Sequence, residues 1–138
     1  MSFPSTRSLI PILLIGALTT LSCGEGEPVA IEGQTLRLKL DEYRIMPQDV
    51  RVEAGRLRII ATNVGRLTHN VKIVREDPDD TEAPPEEITG TRSTQPGESE
   101  SVTIENLEPG TYRLACTIAN HDDLGQYGDL IVEESAGK

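Results

Sequence analysis

Residues 107–128 read LEPGTYRLACTIANHDDLGQYG. Pro109-Gly110 is a turn pair, and Tyr112, Leu114 and Cys116 then fall on one side of an extended segment, at the period of two that marks a strand. Tyr112, on a Pro-Gly-x-Tyr turn, is expected to be the tyrosine corner of a Greek-key sandwich; the alternative use of its ring is a redox relay. Cys116 ends the alternating run, and His121 follows in a polar loop. Tyr127–Glu133 (YGDLIVE) returns as a closing strand.

The same period runs outward from this segment. Leu36, Leu38 and Leu40 alternate with Arg37, Lys39 and Asp41, and Tyr43 and Ile45 carry the pattern to Pro47. Val50 and Val52 alternate with charged residues up to the Ala54-Gly55 turn. Leu57, Ile59 and Ala61 follow; Ile60 is apolar as well, which predicts a strand covered on both faces. Val71 and Ile73, then Val102 and Ile104, complete the set. Arg75–Gly97 begins REDPDDTEAPPEE, with seven acids and three prolines, which predicts a long exposed loop over this stretch containing one edge strand near Glu87–Thr91. No helical period of convincing length occurs. The expectation is an all-β, eight-stranded antiparallel Greek-key β-sandwich.

Residues 1–22 stand apart. They hold one charge, Arg7, followed by the 13-residue apolar run Leu9–Leu21. A bilayer span needs about 20 apolar residues, so the run fits a secretory signal and not a membrane helix. Thr20-Leu21-Ser22-Cys23 resembles a bacterial lipoprotein processing site, in which Cys23 would be lipidated; cleavage by an ordinary signal peptidase is the alternative. The expected organisation is a signal at 1–22, a Gly/Glu-rich tether at 23–33 and one domain at 34–138. The expected location is the periplasm or the outer face of the cell membrane, anchored at Cys23.

The chain of 138 residues has 13 bases and 23 acids, a net charge of -10, which excludes the basic footprint of a nucleic-acid binder. Aromatics make up 3%, too few for a sugar- or base-stacking cleft. The charge is uneven: residues 37–75 are net basic and residues 76–138 strongly acidic, so the acidic part is a candidate docking surface for a partner.

Scarcity carries the chemistry. The chain has two His and two Cys, which excludes a zinc-finger array. His69, Cys116 and His121 are all the soft or borderline donors inside the predicted domain, Met46 apart. Strand-end Cys116, loop His121 and a distant His69 make a His2Cys set, the trigonal donors of a type 1 copper site. Read singly, Cys116 is an inert buried thiol or a partner for Cys23, and His69 an ordinary surface or core His.

In order, Tyr43-x-Ile45-x-Pro47, Val50-x-Val52-x-Ala54-Gly55, Asn63-x-Gly65, His69-Asn70, Leu107-x-Pro109-Gly110-x-Tyr112 and Cys116-Thr117-x3-His121-x3-Gly125-x-Tyr127-Gly128 resemble the cupredoxin (blue copper) family, in its plastocyanin/azurin-like branch. The resemblance spans residues 34–133. It implies copper held by both imidazoles and the Cys116 thiolate, with Asn70 and Thr117 tying the two ligand segments together. The family's Met, five residues after the second His, is here Gln126, as in stellacyanin-like proteins. That implies a weak axial amide oxygen; the alternative is a three-coordinate copper merely lined by Gln126. Ala119-Asn120 stands where relatives often have Pro-Gly, and Asn tolerates the left-handed conformation such a turn needs. Met46 lies far upstream and reads as core packing.

These readings converge on an exported, monomeric one-electron carrier with one copper, serving redox partners the sequence does not name, and not on an enzyme. Two alternatives stand beside it: a copper-delivery protein using the same site, and a metal-free immunoglobulin-like module.

Overall fold

The computed structural model describes residues 26–75 and 84–135. The signal, the lipidation site at Cys23 and most of the acidic loop after Arg75 lie outside these residues. The described residues form ten strands: β1 Val29–Ala30, β2 Thr35–Asp41, β3 Arg44–Met46, β4 Val50–Glu53, β5 Gly55–Asn63, β6 Lys72–Arg75, β7 Glu86–Gly90, β8 Ser99–Leu107, β9 Gly110–Ala115 and β10 Tyr127–Glu133. They pack as a six-stranded sheet, β1-β4-β10-β9-β6-β7, and a four-stranded sheet, β3-β2-β5-β8.

The alternation seen in sequence is the burial pattern. Leu36, Leu38 and Leu40 of β2 and Leu57, Ile59 and Ala61 of β5 are buried from the four-stranded sheet, while Arg37, Lys39 and Arg58 stay outside. Val50, Val52, Ile73, Leu114, Leu130 and Val132 of the other sheet complete the same core. Each fully buried Leu or Ile contributes about 1.5–3 kcal/mol of transfer free energy.

The class is the expected β-sandwich, but pairing and strand number differ from an eight-stranded antiparallel one. β1 with β4, β4 with β10 and β2 with β5 are parallel. Parallel and antiparallel ladders share the period of two, so alternation cannot tell them apart. The extra strands are β1, of two residues, and β3, of three, both too short to display a period. β1 lies inside the stretch expected to be a tether; it pairs in register with the free edge of β4, Val29 opposite Val50.

Two core expectations are corrected. Ile60 is half-buried on the outer face of β5, not enclosed between two layers. Met46 is likewise half-buried on the outer face and not core; with Ile60, Pro47 and the stems of Arg37 and Lys39 it lines an open cleft. Long basic side chains cover such apolar surface with their methylenes while keeping the charge in water.

Tyr112 is a structural corner. Its hydroxyl donates to the Glu108 carbonyl at 2.9 Å and accepts from the Arg75 guanidinium at 2.8 Å. β7 is the edge strand next to the acidic loop, as its position in the sequence suggested. At Gly128 a Cβ would run into the Gln48 backbone carbonyl, so glycine lets the β3–β4 connection close over the start of β10.

Candidate metal centre

The strand directions bring four chain segments to one end of the sandwich. β2 and β5 finish there, β9 ends there and β10 starts there. Asn63, the last residue of β5, organises the loop that follows. Its side chain donates to the carbonyls of Leu67 (2.7 Å) and Thr94 (2.8 Å) and accepts from Gly65 N–H (2.9 Å). His69 then forms an isolated bridge with Thr94 and leaves the backbone fully buried.

Cys116 and His121 come from the β9–β10 connection. Cys116 N–H donates to the Gln126 carbonyl, and Gln126 N–H donates back into the loop at the His121 carbonyl, both at 3.0 Å. His121 N–H closes on the Ile118 carbonyl and Gly125 N–H on the Asp122 carbonyl. Ala119 and Asn120 both adopt left-handed backbone, with φ of 49° and 56°. The Asn was expected there; the Ala has no side-chain hydrogen bond to compensate it.

The ligand atoms of His69, Cys116 and His121 all lie within 4.8 Å of one another, and all three residues are buried. Cys116 is a free thiol with its Sγ 3.6 Å from His121 Nδ1. His69 Nδ1 is buried with no hydrogen-bond partner among the described residues. A buried imidazole nitrogen without a partner is costly unless something occupies its lone pair. Two imidazoles and a thiolate at this spacing fit copper.

Asn70 and Thr117 tie the two ligand segments by paired hydrogen bonds. Gln126 is fully buried; its Nε2 donates to the carbonyls of Asp41 (2.8 Å) and Arg44 (3.3 Å), and its Oε1 has no partner among the described residues.

The β2–β3 turn contributes to the site in a way that no spacing pattern announced. Glu42 Oε1 accepts from the backbone N–H groups of Arg66 (2.6 Å) and Leu67 (2.8 Å) and lies 3.3 Å from His69 Nε2. Those backbone donors, with His69 behind them, hold its carboxyl down at about 2. Tyr43 meets the His121 ring edge-on, with centroids 5.1 Å apart. An acid between a Leu-alternating strand and a tyrosine reads as an ordinary turn residue, so no spacing signal could have picked it out.

The chain matches the model of copper-binding proteins of the plastocyanin/azurin family over residues 35–133. It belongs to that family, and copper is its cofactor. Among solved structures it is similar to dithionite-reduced auracyanin from the photosynthetic bacterium Roseiflexus castenholzii. The identity is 24% and the TM-score 0.63, over 73% of this chain and 98% of that one. Auracyanin B follows at 22% identity and TM-score 0.62, over 80% and 93% of the two chains. Auracyanin A, a blue copper protein from the green thermophilic photosynthetic bacterium Chloroflexus aurantiacus, shows 20% identity and TM-score 0.61, over 75% and 99%. No curated protein sequence matches significantly.

Proposed function

We propose that the protein is an exported one-electron carrier in which His69, Cys116 and His121 hold copper and Gln126 Oε1 supplies a weak axial contact. The observation that carries this reading is the buried His2Cys cluster, with its three ligand atoms within 4.8 Å of one another. Copper bound there supplies a one-electron Cu(II)/Cu(I) couple.

The residues suit that task because their positions are set by the protein. The ligand loop is closed on itself by backbone hydrogen bonds, and the Asn70–Thr117 pair joins it to the His69 segment. A frame held in this way moves little when the metal changes charge, which keeps the reorganisation accompanying electron transfer small. His69 is fully buried, whereas His121 keeps 6% exposure, so electrons leave by the His121 edge. Leu67 and Leu124, two and three residues from the ligand histidines, are exposed and supply apolar contact for a redox partner.

Export and anchoring rest on the sequence of residues 1–23. The location proposed is the periplasm or the outer face of the membrane, with Cys23 lipidated.

The test is the visible spectrum on adding Cu(II), run beside Cys116→Ser, followed by repeated reduction and oxidation. An intense thiolate-to-copper band in the wild type alone, with metal retained through the cycles, is expected. A wild type without the band overturns the copper centre. Release of copper at each reduction overturns electron carriage in favour of delivery.

A further inference from the structure

Three nitrogens converge on one oxygen. Glu42 Oε1 takes the backbone donors of Arg66 and Leu67 and also faces His69 Nε2. An ionised carboxylate can only accept, so the hydrogen in the third contact belongs to His69 Nε2. That leaves Nδ1 as the bare lone pair, and Nδ1 is the buried, unpartnered nitrogen of this residue. Arg44, on the same turn, is paired with Asp41 at 2.9 Å.

The space around the carboxylate is fitted to it. A methyl group on Gly65 would lie 2.5 Å from Glu42 Oε1. The same four-residue turn also supplies the carbonyls of Asp41 and Arg44 to Gln126 and the Tyr43 ring to His121.

Resting on the copper centre above, we propose that Glu42 is a positioning residue for it. Its carboxylate fixes His69 as the Nε2–H tautomer with Nδ1 toward the metal. Its fixed negative charge, one imidazole away, favours Cu(II) and lowers the reduction potential. A carboxylate behind a metal-bound imidazole orients the ring and raises its basicity, and a neutral acceptor does the first without the charge.

Voltammetry of copper-loaded wild type, Glu42→Gln, Glu42→Asp and Gly65→Ala tests this, with nitrogen-15 NMR of the His69 ring in the metal-free proteins. Glu42→Gln keeps an acceptor oxygen and removes the charge. It is expected to shift the Cu(I)/Cu(II) preference about tenfold toward Cu(I), a rise of about 59 mV for one electron, with the blue band kept. Glu42→Asp is expected to stay closer to the wild-type potential than Glu42→Gln does.

In metal-free wild type His69 is expected as the Nε2–H tautomer, and Gly65→Ala, which displaces the carboxylate, is expected to mix the tautomers. An unchanged or lowered potential in Glu42→Gln overturns the proposal, and so does an Nδ1–H tautomer in the wild type. If Glu42→Gln does not take up copper, the Gly65→Ala tautomer ratio decides. A wild type that forms no blue centre overturns the reading of the centre, while the metal-free tautomer still reports on Glu42.

Discussion

Asn70 and Thr117, 47 residues apart, hold each other by two hydrogen bonds: Thr117 N–H donates to Asn70 Oδ1 at 2.9 Å, and Asn70 Nδ2 donates to Thr117 Oγ1 at 3.1 Å. Each lies next to a ligand, so the pair fixes the separation of His69 and Cys116. Asn70→Ala is expected to weaken copper binding by about 10–100-fold. It should also lower metal-free stability by about 1–3 kcal/mol, because the Thr117 N–H loses its acceptor. Copper titration and chemical denaturation of the same variant check both.

Gln126→Met is expected to raise the reduction potential, since a thioether favours Cu(I) more than an amide oxygen does. The same substitution removes the donor to the Asp41 and Arg44 carbonyls, so the metal-free variant should be about 1–3 kcal/mol less stable. A potential that falls, measured by voltammetry, would contradict the axial role.

Ala119 holds a positive φ of 49° in the ligand loop. Ala119→Gly removes the Cβ clash and should stabilise the metal-free fold by about 1 kcal/mol. The denaturation midpoint reads this directly, and an unchanged or lower midpoint would count against the strain.

Tyr112→Phe deletes a hydroxyl that serves both the Glu108 carbonyl and Arg75. A stability loss of about 1–3 kcal/mol is expected by denaturation, with no change in potential. A shifted potential would revive the relay reading of this ring.

The sandwich was legible because its core residues sit at the period of two, from Leu36 to Val132. Strand partners were not, because Val50 reads the same beside a parallel or an antiparallel neighbour. The three ligand positions were legible through scarcity, as the folded region offers few other soft donors. Glu42 and Tyr43 were not, since their part depends on a turn folding across to residues 66–69 and 121. Met46 and Ile60 were misjudged for a related reason: apolar character does not say which face of a sheet a side chain takes when basic stems can shield it.

β1 gives the molecule a polarity that the pairing fixes. It runs parallel to β4 and β10, and β10 starts at the copper end, so the chain enters the sheet heading away from the metal. Residues 26–28 therefore lead into β1 from the metal's side. From Cys23 to Val29 an extended chain reaches at most about 20 Å. With the lipid proposed at Cys23, so short a lead favours a His121 edge turned toward the bilayer over one turned away from it.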